Sequence, residues 1–432
     1  MRVLLVSTNR LNGGMPPIPL GLACVAACVD RQRHELQVWD AMFADDWRPA
    51  LRACVTDFGP DVIGFSIRNV DDQKLRRPTF FLGEAREMVA LCRQHSSATL
   101  VGGGAGFSLF PAPILDYLGL DCGVVGEGEL AFPSLLEALS GGETPAAIPG
   151  LVRRADGRVL ITPPDWSVVP DRMPAPRRDT LDLGHYYAAT GNPAMPNPVT
   201  LQSKRGCPMP CTYCSTRALE GRFIRCRRPE HVVDEMEGLR GQGFQRLHFV
   251  DNVFTNPAWH ARAICEEILR RGLDVRWSAI ANPGCTTPSL LRLMKQAGCV
   301  LVLLGNEHAD SGMLHTLGKR FDPKQLAACF RTCEAVGLPY HAFLLLGGPG
   351  ESRDSVQRSV EFLQGFAPAW VNVTVGIRLY PGCALTRQAM QEGLLDPADD
   401  LLVPRFYLAP GMRDWIWEHM DAVVERNQGW GY

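Results

Sequence analysis

The chain has 432 residues, a net charge of −2, 46% hydrophobic and 21% charged residues. That length exceeds one ordinary core and calls for two or three domains, while the apolar content excludes a disordered chain. Near-neutral charge without a long run of one sign argues against a broad nucleic-acid face. No apolar run has the length of a membrane span, and "MRVLLVSTNR" is too short for a signal peptide, so a cytoplasmic protein is expected.

The first part alternates strand and helix. "RVLLVS" (2–7) is predicted as a strand, "PLGLACVAACVDR" (19–31) as a buried helix and "ELQVWD" (35–40) as a second strand. "DVIGFS" (61–66), "ATLVGGG" (98–104) and "CGVVGEGE" (122–129) follow, each ending in residues suited to a tight turn. Such βα repetition predicts an α/β fold with an open parallel sheet, covered on both faces and binding ligands at the carboxyl ends of its strands. Asn69, Asp71, Asp72, Gly102 to Gly104 and Gly126 to Glu129 fall at that edge. Residues 148–164 read as a hairpin turning at Asp156-Gly157, and the proline-rich 165–198 as a linker. From 199, six strand candidates alternate with helices, which predicts a barrel or part-barrel with functional residues at its strand ends. Residues beyond about 390 read as helical. The expected units are therefore 1–147, 148–198, 199–390 and 391–432.

Fifteen cysteines, an odd number, are scattered through this pattern. In apolar runs, as at Cys24, Cys28, Cys54, Cys265, Cys299, Cys329 and Cys333, a free thiol packs as a small hydrophobe. A disulfide framework does not fit a large chain in a reducing compartment. "RGCPMPCTYCST" (205–216) is different: Cys207, Cys211 and Cys214 crowd one loop after the first strand of the second domain. Structural zinc wants four ligands, and the fourth would have to come from Cys226 or His231. Three thiolates on three irons of a [4Fe–4S] cluster, with the fourth iron open, fit the pattern better. Pro208 and Pro210 stiffen the loop and Gly206 permits its turn.

The C-x3-C-x2-C spacing, with Tyr213 before the last cysteine, resembles the signature of the radical S-adenosylmethionine (SAM) superfamily. "FVDNVFTN", "LLGNEHADSGMLHTLGK", "FLLLGGPGES" and "IRLYPGCAL" resemble the later strand ends of its partial (β/α)6 barrel. The resemblance implies that SAM chelates the open iron and is cleaved by one electron to a 5′-deoxyadenosyl radical. It further implies SAM contacts from Tyr213, Asp251, Asn252, Glu307, Gly347 and Gly348. The family's two glycines and glutamate are absent around Asp251, and His308 stands where a glycine is common after the glutamate. Arg378 needs an anionic or carbonyl partner if buried; a SAM or substrate carboxylate and an ordinary salt bridge both satisfy that need.

"PPIPLGLACVAACVDRQRHELQVWDA", "LVGGGAG" and "GVVGEGELAFPSLLEAL" resemble the Rossmann-like cobalamin-binding domain that precedes many radical SAM barrels. The D-x-H-x-x-G segment that supplies a cobalt-ligating histidine is missing, so the resemblance implies cobalamin without a protein histidine on cobalt. It points to Ser66, Asn69, Gly102, Gly103, Gly104, Gly126, Glu127 and Gly128 as cobalamin contacts. A dinucleotide site is disfavoured, because the first turn lacks G-x-G-x-x-G. The combination implies a class B methyltransferase-like enzyme that methylates an unactivated carbon of a small molecule and is reduced by a donor such as flavodoxin or ferredoxin. Rearrangement or cyclisation without methyl transfer is the rival reading, and a zinc-binding interaction protein the remote one.

Overall fold

The computed structural model describes residues 1–11, 15–142, 147–192 and 194–432. The first sheet contains β1 (Arg2–Ser7), β2 (Glu35–Asp40), β3 (Val62–Ser66), β4 (Thr99–Gly103), β5 (Cys122–Val124), β6 (Leu151–Ala155) and β7 (Arg158–Ile161). Their order is β2-β1-β3-β4-β5-β6-β7. Strands β1 to β5 pair in parallel, while β6 and β7 are antiparallel. Successive strand residues face opposite sides, and β1 shows why the sheet is double-faced. Val3 and Leu5 join one apolar cluster with Leu22, Ala26, Leu135 and Leu136; Leu4 and Val6 join another with Trp47, Leu51 and Met88.

The hairpin turn forms as expected, with Asp156 and Gly157 both at positive φ (49° and 72°), the geometry that matches strand twist. Its place differs from the expected division at 147: β6 pairs with β5, so the hairpin completes the first sheet rather than opening a connector. A strand that pairs antiparallel needs no crossover helix, and only a helical crossover would have shown in the pattern.

The second domain begins with β8 (Val199–Leu201), followed by β9 (Lys204–Arg205) and β10 (Arg225–Cys226), which pair with each other. Then come β11 (Arg246–Phe249), β12 (Arg276–Ala281), β13 (Cys299–Leu304), β14 (Tyr340–Leu346) and β15 (Trp370–Val375). The remaining strands are β16 (Ile377–Arg378), β17 (Phe406–Tyr407) and β18 (Trp430–Gly431). The main sheet runs β8-β11-β12-β13-β14-β15-β18, all parallel, with helices between successive strands: the part-barrel expected from the alternation. Phe249, Phe254 and Trp277 pack edge-on and tilted in its core. The C-terminal segment, expected to be helical, carries the helix Ile416–Arg426 but also supplies β18 on the outer edge of β15. No described helix is long and apolar enough to cross a membrane.

Candidate active site between the two domains

The cysteine loop is tied down from both ends. Asp251, at the end of β11 and fully buried, accepts from the N–H groups of Ser203 (2.7 Å) and Lys204 (3.3 Å) and from Lys204 Nζ (3.2 Å). Gly206 has φ +88°, and a Cβ there would lie 2.0 Å from the Phe223 carbonyl oxygen, so the residue before Cys207 must be glycine. Its N–H donates to Glu220 Oε2 (3.0 Å), which also accepts from Asn252 Nδ2 (2.6 Å). Further along, Thr212 N–H donates to the Leu317 carbonyl (3.1 Å) and the Thr212 hydroxyl to the Thr316 carbonyl (3.2 Å). Thr216 Oγ1 bridges Cys214 Sγ (3.2 Å) and Asn252 Oδ1 (3.3 Å).

Burial raises the Cys207 thiol pKa and pushes that of Cys211 up to about 11, with Lys319 pulling the other way at Cys211. Metal binding there must displace protons. Among the described residues no three His, Cys, Asp or Glu side chains surround a single ion position. A cubane asks for something else: each thiolate takes its own iron corner, and three soft donors on one rigid loop suit that demand.

Glu307, after β13, sits at φ 54°, forms an ion pair with buried Lys319 and adjoins Tyr213. Lys319 Nζ also donates to the Gly305 carbonyl (3.2 Å) and lies 5.6 Å from the centre of the Tyr213 ring. Tyr213 and Glu307 are thus brought together beside the cysteine loop. Lys319 joins them without having stood out in "HTLGKRF". Gly347, after β14, donates its N–H to Glu351 Oε2 (3.1 Å), and a side chain at Gly348 would press on Met313. His308 Nδ1 accepts from the Asp310 N–H (3.0 Å), which leaves Nε2–H for Glu351 Oε1 (3.0 Å). The histidine that replaces the expected glycine therefore locks the end of β13 to the glycine turn after β14.

Several expected ligand contacts are already committed to protein partners. Asp251 spends its carboxylate on Ser203 and Lys204, so it shapes the loop and is not free for the SAM amino group. Arg378 donates from Nε to Asp71 (2.9 Å), from Nη1 to the Leu379 carbonyl (2.7 Å) and from Nη2 to the Leu401 carbonyl (2.8 Å). The salt-bridge alternative is the one realised. Glu127 holds Arg225 with both oxygens (2.6 and 2.7 Å) and lies 3.5 Å from Arg205. It clamps the two domains together.

The glycines of the first domain separate in the same way. A Cβ at Gly102 would strike Phe107 and Leu120, at Gly104 the Ile67 carbonyl, at Gly126 Pro164 and Trp166, and at Gly128 Val25. Only Gly103 among them is open, its nearest neighbour being the Val124 carbonyl at 3.9 Å. The Ser66 carbonyl accepts from the Thr8 hydroxyl (3.0 Å), closing β1 onto β3. Beside it lies a cavity of about 220 Å³ lined by Thr8, Asn9, Arg10, Arg68, Asn69 and Thr79, among others. Among the described residues Asn9 Nδ2 is buried there without a partner, and burial lowers the Arg68 pKa. Donors without acceptors suit the amide and phosphate groups that fringe cobalamin, so the residues fit the cofactor. The volume is small beside the roughly 300–1,000 Å³ of drug-sized sites. The helix Ala105–Leu109, following these glycines, packs against Thr216–Glu220, which follows the cysteines.

Fold and site together define a two-domain α/β enzyme in which a Rossmann-like edge abuts a three-cysteine loop heading a part-barrel. Residues 7–136 match the B12 binding domain family and residues 201–363 the Radical SAM superfamily. The chain is 28% identical to an uncharacterized methyltransferase of Pyrococcus horikoshii (91% of this chain, 84% of the relative). It is 26% identical to a tryptophan 2-C-methyltransferase of Streptomyces laurentii (90% and 74%). Its fold superimposes with a TM-score of 0.86 on the radical SAM methyltransferase TsrM of Kitasatospora setae solved with tryptophan and a SAM analogue, at 25% identity over 98% of this chain and 89% of that one. A B12-binding domain followed by a radical SAM domain makes the chain similar to the cobalamin-dependent radical SAM methyltransferases. Its cofactors are a [4Fe–4S] cluster, SAM and cobalamin.

Proposed function

We propose that the enzyme methylates an unactivated carbon of a small molecule in the cleft between its domains. The observation that carries this reading is the direct packing of the helix Ala105–Leu109 on Thr216–Glu220; on this reading the cobalamin edge and the cysteine loop are two walls of one site. A relative named tryptophan 2-C-methyltransferase and a solved methyltransferase holding tryptophan support methyl transfer to a small molecule. When bound, the cluster with SAM supplies a 5′-deoxyadenosyl radical and cobalamin supplies the methyl group. The chain's own contribution is placement. Cys207, Cys211 and Cys214 hold the cluster, Asp251, Lys204 and Glu220 fix the loop that carries them, and the Lys319–Glu307 pair presents charge beside Tyr213. Gly103 offers an open backbone and Asn9, among the described residues, an unpartnered donor toward cobalamin, with Arg68 beside them.

The test begins with anaerobic reconstitution with iron, sulfide and hydroxocobalamin. About four irons per chain with retained cobalamin are expected, and Cys211→Ala should lose the cluster while keeping cobalamin. With tryptophan as first probe and then a panel of small metabolites, S-adenosylhomocysteine should form in step with a methylated product. Product formation without S-adenosylhomocysteine overturns methyl transfer in favour of rearrangement or cyclisation. Zinc in place of iron overturns the site itself.

A further inference from the structure

We infer that Phe223, Arg222, Arg217 and Pro208 form the docking face for an acidic one-electron carrier protein of the flavodoxin type. Phe223 is 69% exposed, more than any other large hydrophobic residue in the described chain. A single exposed aromatic is ordinary. This one belongs to the segment whose backbone presses on Gly206, one residue before Cys207. Pro208, one residue after Cys207, is exposed as well, and its carbonyl accepts from Arg217 Nη2 (2.9 Å). The Arg222 guanidinium lies 5.0 Å from the Phe223 ring centre. The surface thus touches both chain neighbours of a cluster ligand.

Its charge is available. Nearby Arg225, Arg227 and Arg228 are spent on Glu127, Glu235 and Asp171. Among the described residues Arg217 and Arg222 have no carboxylate within ion-pair distance, and Glu220 turns inward to Gly206, Asn252 and Gln202. An apolar anchor flanked by two unpaired guanidinium groups, on a chain of net charge −2, is a locally basic patch complementary to an acidic carrier. The step is a transfer of one electron: the flavin hydroquinone of the carrier becomes its semiquinone, and the cluster goes from the 2+ to the 1+ state.

The inference rests on the cluster, not on methyl transfer, and is tested without turnover. Oxidised flavodoxin is titrated calorimetrically into the reconstituted wild type, the Arg217→Glu/Arg222→Glu double variant and Phe223→Ala. Binding to the wild type should weaken as salt rises, and both variants should lose about tenfold or more in affinity, with the charge variant also losing the salt dependence. Iron content and the reduced-cluster signal produced by dithionite should match the wild type in both. Variants that bind flavodoxin as the wild type does overturn the surface. Loss of iron or of dithionite reduction in a variant assigns these residues to the loop's structure instead and equally overturns it, with Arg222→Gln as the milder check. A wild type that assembles no cluster removes the site reading first.

Discussion

Lys319 is a buried cation set between two anionic needs, the Glu307 carboxylate and the thiolates of the cysteine loop. Burial alone would depress its pKa, yet the fields of Glu307 and Cys211 raise it above an ordinary lysine, so it stays charged at working pH. Lys319→Met strands Glu307 in the same pocket. SAM affinity should fall about 10–100-fold, the usual effect of losing a supporting partner of a metal site, with iron content unchanged and partial rescue by Lys319→Arg. Equilibrium binding of SAM to the reconstituted protein measures this; unaltered affinity would reduce the pair to packing. Asp251 is the contrasting case. Asp251→Ala leaves Lys204 charged and unpaired at 3% side-chain exposure and should cost about 3–5 kcal/mol in urea unfolding. The sequence marks both Asp251 and Glu307 as important, because each follows a predicted strand. It cannot say where a carboxylate points, and Asp251 reaches backbone 48 and 47 residues earlier. The three cysteines are legible because their chemistry lies within one local spacing. Lys319 and the His308–Glu351 bond are not, because only the packed barrel brings their partners together.

At the scale of elements, regular repetition is legible and its exceptions are not. The strand–helix alternation of both domains shows in apolar period and turn residues, and the Asp156-Gly157 turn shows in two letters. A two-residue strand such as β18 has no period to read, and its pairing with β15 depends on where the chain returns after the helix Ile416–Arg426. The glycine motifs fall between these cases. Their turns are legible, but whether the vacant Cβ position faces a ligand or Phe107 is a property of the folded sheet. One helix end makes an electrostatic prediction. Hydrogen bonds from Arg270, and after it from Arg271, hold the Glu267 carboxyl down to about 2 against the desolvation that opposes them. A carboxyl lowered in the folded state adds stability above its unfolded pKa of about 4.3 and loses it as pH falls toward the folded value. Glu267→Gln should therefore be less stable than the wild type at neutral pH, with the difference shrinking between about pH 4.5 and 2. Urea midpoints measured across that range check it, and a constant difference would refute the ion-pair origin.

Several contacts cross the seam between the two sheets, and the segment after β3 supplies one set of them. Asp71 pairs with Arg378, both 2% exposed in their side chains; Leu75 covers Gly376; and Arg76 reaches Asp421 on the C-terminal helix (2.9 Å). The last pair is half exposed and contributes under about 1 kcal/mol, whereas removing one partner of the buried pair costs about 3–5 kcal/mol. Gly376 is the sharper probe because it carries no charge. Its φ of +82° disfavours any L side chain, and a Cβ there would lie 2.6 Å from Leu75 Cδ2. Gly376→Ala should displace the Leu75 side chain and loosen the seam on the cobalamin side, while leaving the cysteine loop, held by Asp251, Glu220 and Thr212, in place. The variant should retain its iron and release cobalamin on gel filtration, and Leu75→Ala in the same chain should restore part of the retention by relieving the clash. Parallel loss of iron and cobalamin would show that the domains unfold together, and full retention of both would show that the seam does not govern cobalamin binding.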